Sequence, residues 1–127
     1  MRTVKDYLDE ANEVVPRVTP QEGMEIHSEG NAVFIDVRDS NSLRQTGTIA
    51  GAYHVPRGMV ELSADPESAY YKPFFKKDAQ ICIVCGGGLM AAMAGKTLME
   101  MGFENVINVG GMNAWKEAGG PVEPYDL

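Results

Sequence analysis

A short apolar run, one cysteine, three consecutive glycines and a helix-forming segment follow one another within residues 80–101. Residues 81–84 are too few for a confident helix and are rich in branched side chains, so they predict a buried strand. Residues 89–101 are dense in good helix formers and stop at Gly102, so they predict a helix. Cys85 therefore lies where a strand ends and a helix begins.

This position favours a reactive thiol. The free N–H groups and the dipole at a helix N-terminus stabilise an anion, which here would be the thiolate of Cys85. Gly86, Gly87 and Gly88 allow the backbone to curl around the sulfur in conformations that other residues avoid. The alternative is an unreactive cysteine in a tight turn, although packing gives little reason for three glycines there.

The composition describes one globular domain. The chain has 127 residues, of which 44% are hydrophobic and 23% charged. A net charge of -7 without a basic cluster argues against a nucleic-acid or membrane partner. The first residues lack the apolar core of a signal peptide, and no apolar run is long enough to span a membrane. Two cysteines without an export signal then indicate the reducing cytoplasm.

The order of the predicted elements indicates an α/β fold. Residues 3–15 place apolar side chains on one helical face and predict an amphipathic helix, which packs on the domain or binds a partner. Thr19, Pro20 and Glu22 predict the capped start of a helix that runs to about Ser28. The remaining segments predict strands at 17–18, 32–37, 53–55, 81–84 and 105–109, helices at 57–63, 89–101 and 112–118, and a helical turn at 41–45. Strands separated by helices indicate parallel βαβ units, with the functional crevice beyond the carboxyl ends of the strands.

Three other motifs overlap the cysteine segment. Residues 86–91 match the G-x-G-x-x-A dinucleotide fingerprint, but the next strand ends without a carboxylate for a ribose. Residues 95–97 end like a P-loop, but Met90 stands where that loop needs a glycine. Cys82 and Cys85 form a C-x-x-C, yet three strand steps separate their Cα atoms by about 10 Å, too far for a disulfide. Zinc would need two further ligands from unrelated segments, so Cys82 is predicted to be an inert core residue.

Several segments together resemble the rhodanese family, namely residues 34–38, 47–58, 83–85, 94–98 and 109–115. The resemblance spans about residues 17–122, which leaves a helical extension at 1–16 and a tail at 123–127. It implies a three-layer α/β/α fold with a five-stranded parallel sheet. It also implies a sulfurtransferase, without a cofactor, in which Cys85 carries a sulfane sulfur as a persulfide. The sulfur would come from thiosulfate or a similar donor and pass to cyanide, a thiol or a partner protein; the chain could be a monomer or a homodimer.

One position departs from the family pattern. The resemblance implies that the donor binds at Gly86, Gly87, Gly88, Leu89 and Met90, and in the family the last of these positions is often arginine. Removing a charge-assisted hydrogen bond costs about 1.5–3 kcal/mol, so thiosulfate is expected to be a poor donor. Phosphatase and arsenate-reductase chemistry needs an arginine after the cysteine to grip an oxyanion, and no arginine follows Cys85.

The remaining candidate cation for an anionic donor is Arg57, which follows a strand end; a plain surface role is the alternative. Asp36 and Arg38 are predicted to form a structural charge pair, His54 to be a core or rim residue, and Met112 and Trp115 to be core residues of the last helix. A rival function is a non-catalytic rhodanese-like binding or regulatory module that has lost donor turnover. Met90 favours that rival, whereas the retained Cys85 with its glycines favours the enzyme.

Overall fold

The computed structural model describes residues 1–126 and places a parallel sheet between two layers of helices. Within these residues the helices are α1 (Val4–Val14), α2 (Pro20–Glu29), α3 (Ser40–Thr46), α4 (Val60–Ala64), α5 (Leu89–Glu100) and α6 (Met112–Glu117). The strands are β1 (Val33–Asp36), β2 (Thr48–Ile49), β3 (Tyr53–His54), β4 (Gln80–Cys85), β5 (Asn105–Gly111) and β6 (Val122–Glu123). The helix predicted at 57–63 is a 3₁₀ turn, Arg57–Met59, followed by the short α4.

The start of α2 is determined by its own first residues. The Thr19 hydroxyl accepts a hydrogen bond from the Glu22 N–H, and the Glu22 carboxylate accepts one from the Thr19 N–H. Pro20 occupies the first turn, where a missing N–H costs nothing. Gly30 ends the helix with a left-handed φ of 77°. The capping box predicted from the sequence is therefore confirmed.

The main sheet has four parallel strands in the order β3-β1-β4-β5, so the expectation of five strands is wrong. The strand predicted at 17–18 is reduced to one parallel bridge between Arg17 and Asn108. The Asn108 N–H donates to the Pro16 carbonyl (2.9 Å), and the Val18 N–H donates to the Asn108 carbonyl (3.0 Å). The segment cannot lengthen, because Pro16 has no N–H and Thr19 already caps α2.

Two irregular features accompany the main sheet. The pairing of β4 with β5 shifts by one residue after Ile83, which brings Cys85 opposite Gly111. Separately, β2 and β6 pair antiparallel as a two-stranded sheet that the sequence did not predict. The sequence places Glu123 in the C-terminal tail, but in the structure this residue belongs to β6. The bulge in β5 determines which residues lie beside the cysteine.

Hydrophobic clusters cover both faces of the main sheet. One cluster joins α4 and α5 to the Ile35 and Ile83 side chains, and the other joins α6 to Phe34, Cys82 and Val84. Neighbouring strand residues enter different clusters because successive side chains alternate faces. Of the helices in residues 1–126, none combines the length and the apolar character needed to cross a bilayer. The fold is the expected α/β/α arrangement.

Candidate active site

Cys85 ends β4, and three glycines separate it from the first residue of α5. Its Sγ atom accepts hydrogen bonds from the backbone N–H groups of Gly88 (3.0 Å) and Ala91 (3.3 Å). Both donors lie at the start of α5, so the helix dipole adds to the same favourable field. The side chain is only 1% exposed. A desolvated sulfur that faces two N–H donors is well arranged to hold negative charge.

Residues 86–88, here called the glycine loop, meet different constraints at each position. Gly88 has a φ of +93°, a left-handed conformation that favours glycine. A Cβ at Gly88 would also lie 2.7 Å from the Arg17 Cζ atom. Gly86 and Gly87 are exposed, and a Cβ at either would meet open space. The first two glycines thus leave room for a ligand, whereas the third is required by the backbone itself.

The loop rests on the bulged end of β5. A Cβ at Gly111 would collide with the Gly86 carbonyl oxygen, so the close approach of these two segments requires glycine at 111. At the other side of the loop, Leu89 is 57% exposed, and Met90 is half-buried against the hydrophobic cluster that contains Cys85. The structure therefore brings the predicted loop residues together and gives the loop an apolar border.

Arg57 is held away from the loop in the structure. Its guanidinium donates to the Glu61 carboxylate (3.0 Å) and to the Thr97 hydroxyl (3.0 Å). Thr97 lies eight positions after Leu89, the first residue of α5, which is just over two helical turns. An Arg57 that bound an anionic donor beside Cys85 would first have to leave these two partners.

Two residues that sequence reasoning did not assign to the site contact the glycine loop. The Asn108 amide donates from Nδ2 to the Gly88 carbonyl (2.9 Å), and its Oδ1 accepts from the Gly110 N–H (2.8 Å). The Arg17 guanidinium donates from Nη2 to the Gly87 carbonyl (3.3 Å). For Asn108 the sequence does carry a signal, because a polar amide inside a predicted buried strand needs hydrogen-bond partners. No local pattern singles out Arg17, which is 70 residues from the loop along the chain.

Cys82 lies on the opposite face of the sheet from Cys85. It is fully buried, and burial raises the pKa of its thiol to about 12. Both cysteines are free. In the part of the chain that the structure describes, no three His, Cys, Asp or Glu side chains are grouped so that they could hold a metal ion. The prediction that Cys82 is a core residue is confirmed.

A buried network beside β1 accounts for the predicted charge pair. The Arg38 guanidinium donates to the Asp36 carboxylate (2.8 Å), which also accepts from the Thr48 hydroxyl (2.8 Å). His54 connects the Arg38 carbonyl (2.7 Å) to the Tyr125 hydroxyl (2.9 Å). These residues join β1, β2, β3 and the C-terminal segment, so their role is structural, as predicted for Asp36 and Arg38.

Known proteins share this architecture. A curated relative, the thiosulfate sulfurtransferase GlpE of Actinobacillus succinogenes, is 26% identical over 84% of this chain and 88% of its own length. A solved structure from Rhodopseudomonas palustris, described as a protein of unknown function and possible tyrosine phosphatase, is 39% identical with a TM-score of 0.92, over 97% of this chain and 96% of that one. The polysulfide-sulfur transferase homodimer of Wolinella succinogenes is 27% identical with a TM-score of 0.73, over 96% of this chain and 88% of that one. The model of the rhodanese-like domain matches residues 19–118, most of the sequence, and the chain therefore belongs to the rhodanese-like domain family.

Proposed function

We propose that the protein is a sulfurtransferase that carries a sulfane sulfur as a persulfide on Cys85. The observation that carries this proposal is the pair of N–H groups, from Gly88 and Ala91, that donate to the Cys85 sulfur. Membership of the rhodanese-like family and the likeness to GlpE sulfurtransferases support transferase activity in general. The local geometry supports Cys85 as the residue that carries the sulfur.

The reaction has two balanced steps. The Cys85 thiolate attacks the outer sulfur of the donor, and the bond between the two donor sulfurs breaks. With thiosulfate, the electron pair of that bond leaves with sulfite, and the enzyme holds the persulfide anion. A thiophilic acceptor such as cyanide then attacks the outer sulfur, takes it as thiocyanate and returns the Cys85 thiolate. No net oxidant or proton is needed in either step.

The site suits the persulfide intermediate as well as the thiolate. An S–S bond of about 2.05 Å moves the terminal sulfur outward from the position of the Cys85 Sγ atom. The exposed Gly86 and Gly87 leave open space at the loop, and their backbone can adjust to a larger anion. The inward N–H groups stabilise negative charge on either sulfur. No general base is needed, because neither step transfers a proton.

The natural donor is proposed to be less charged than thiosulfate. Met90 stands where the family often has arginine, and Leu89 beside it is exposed and apolar. Such a border favours an organic or protein persulfide over a small dianion, because nothing apolar on thiosulfate can contact it. A thiol or a partner protein is the matching acceptor. We place this chemistry in the cytoplasm, where thiols stay reduced, with the protein acting as a monomer or a homodimer.

Two other functions are weighed against this proposal. The description of the Rhodopseudomonas palustris structure suggests a phosphatase, but phosphate transfer calls for an arginine that grips the oxyanion, and none follows Cys85. A non-catalytic binding module is favoured by Met90 alone. It leaves the two N–H donors to the buried sulfur without a role.

Intact mass spectrometry after incubation with sulfur donors tests the proposal. Wild-type protein incubated with thiosulfate, or with glutathione persulfide, should gain the mass of one sulfur atom, which cyanide should then remove. Cys85→Ser should abolish the gain. Cys82→Ser is the matched control and should retain it, since Cys82 lies on the other face of the sheet. Absence of an adduct with every donor, or an adduct on Cys82, would favour the binding module.

A further inference from the structure

The orientation of one peptide group decides whether Gly88 can donate to the sulfur. The peptide bond between Gly87 and Gly88 carries the Gly87 carbonyl and the Gly88 N–H. In a trans peptide these two groups point in opposite directions. The N–H donates to the Cys85 Sγ atom (3.0 Å), and the carbonyl accepts from the Arg17 Nη2 atom (3.3 Å). The sulfur and the guanidinium therefore lie at opposite ends of one peptide dipole.

The structure holds Arg17 in this position from its backbone outward. The single parallel bridge between Arg17 and Asn108 anchors the main chain of Arg17 to β5. The guanidinium packs against Gly88 and Gly110, where a Cβ would lie 2.7 Å from Cζ and 3.2 Å from Nη2, respectively. The five ion pairs found in residues 1–126 all involve other residues. The charge of Arg17 is thus directed at the loop.

Neighbouring groups leave this peptide dependent on Arg17. The next carbonyl, that of Gly88, accepts from both Asn108 (2.9 Å) and the Ala92 N–H (3.1 Å). The Gly87 carbonyl has Arg17 as its described partner. Glycine peptides rotate at little conformational cost, so an unsupported peptide could turn its oxygen toward the sulfur.

We propose that Arg17 is a positioning residue for Cys85 that acts through the Gly87–Gly88 peptide. It turns the Gly88 N–H toward the sulfur, and its charge strengthens that dipole, so the thiolate and the persulfide are favoured. This deepens the proposed function, because it concerns the same site. It also assigns a cation to a loop that carries Met90 in place of arginine, and it supplies that cation from a segment 70 residues away in sequence.

The rate of Cys85 alkylation by iodoacetamide tests this role without any sulfur donor. Arg17→Met keeps an apolar stem of similar length and removes both the donor and the charge. We expect alkylation at neutral pH to slow by about threefold to tenfold, the size of effect of one partly screened charge near the sulfur. Arg17→Lys should restore much of the rate. Arg44→Met, on the exposed surface of α3, makes the same change in net charge and should leave the rate unchanged.

The pH profile separates positioning from a loss of structure. A free thiol ionises near pH 8.5, and a thiolate that is less stabilised is intrinsically more nucleophilic. The deficit of Arg17→Met should therefore vanish or reverse as the pH rises past about 9. Arg17 is exposed, so the Arg17→Met variant should fold, which circular dichroism checks. If Arg17→Met does not fold, Arg17→Gln replaces it in the experiment. The inference would be overturned if Arg17→Met were alkylated as fast as wild type at neutral pH, or if it were slower by the same factor at every pH.

Persulfide formation in the same variants distinguishes this inference from the proposed function. If wild-type protein takes up no sulfur while alkylation depends on residue 17 as described, the positioning role stands and sulfur transfer falls. If wild-type protein forms the persulfide and Arg17→Met alkylates like wild type, sulfur transfer stands and the positioning role falls.

Discussion

Two cysteines three residues apart in β4 meet opposite surroundings. Cys82 points into the cluster with Phe34 and Trp115, where burial raises the pKa of its thiol to about 12 and keeps it neutral. Cys85 points to the other face and receives two N–H groups at its sulfur. The two side chains lie on opposite faces because they are three positions apart, and only residues an even number of positions apart share a face of a strand. Of the two thiols, only that of Cys85 therefore has hydrogen-bond donors directed at its sulfur.

The apolar side chain at position 90 gives a direct test of the proposed donor choice. Met90→Arg should raise thiosulfate:cyanide turnover by about ten- to a hundredfold, because a charge-assisted contact contributes about 1.5–3 kcal/mol. Steady-state kinetics measures this, and single-turnover assays should place the gain in the donor half-reaction. High salt should weaken the effect, since the loop border is accessible to solvent.

Leu62→Arg provides the control for this substitution. Leu62 is 42% exposed on α4, so the variant makes the same change in net charge at a solvent-accessible position outside residues 86–90 and should leave turnover unchanged. Thiosulfate turnover that stays level or declines in a folded Met90→Arg protein would show that a missing cation does not limit this site. It would then favour Leu89 and Met90 as a border adapted to an apolar donor.

Among the elements, α1 and α5 pack so closely that one glycine mediates their contact. A Cβ at Gly95 would lie 2.9 Å and 3.0 Å from the two γ-methyl groups of Val15, the C-cap residue that directly follows α1, and 3.3 Å from a γ-methyl of Val106. Valine has a stiff χ1, so its methyl groups cannot easily move aside. The helix that precedes the matched part of the chain is therefore tied to the same helix that begins at the glycine loop.

Gly95→Ala should destabilise the protein although alanine is the better helix former. Helix propensity favours the change by about 1 kcal/mol, but overpacking against Val15 costs about 1–3 kcal/mol. In a Val15→Ala background the clash is removed, so the same substitution should become neutral or stabilising. Urea denaturation of the double-mutant cycle should give a coupling free energy of at least about 1 kcal/mol.

Gly58→Ala supplies the comparison for that cycle, because a Cβ there meets open space. It should change the free energy of unfolding by less than about 0.5 kcal/mol in either background. Additive effects of Gly95→Ala and Val15→Ala would mean that α1 does not pack on α5 as described.

At the scale of the whole molecule, the C-terminal segment closes the fold. The Pro121 carbonyl accepts from the Trp115 indole N–H (2.9 Å) and from the Ala50 N–H (3.1 Å), and β6 then pairs with β2. Trp115 is fully buried against His27 and Phe34. The segment thus covers the core on the face opposite the cysteine site.

Removal of residues 121–127 should lower the free energy of unfolding by at least about 1–3 kcal/mol, the cost of one buried donor left unpaired. Fluorescence of Trp115, the one tryptophan in the chain, follows the denaturation. Removal of residues 125–127 alone keeps β6 and the Trp115 hydrogen bond and should cost less. Equal stability of the two truncated proteins would contradict a closing role for Pro121 and β6.

The sequence by itself determined the structural features that depend on residues close together along the chain. The capping box of Thr19 and Glu22, the buried strand before Cys85 and the helix after three glycines all depend on interactions within a few positions. The position of the thiol at a strand end and a helix start followed from these alone. So did the opposite faces of Cys82 and Cys85, because side-chain alternation is a property of any strand.

Tertiary structure alone decided the contacts that cross the chain. Nothing near Arg17 in sequence indicates that it meets a carbonyl 70 residues away, and nothing near Arg57 indicates that Thr97 holds it. The loss of the fifth strand likewise depends on how little chain remains between Pro16 and the cap of α2 once β5 is in place. Local preferences act over one or two turns of chain, whereas these contacts depend on where the packed helices bring distant segments together.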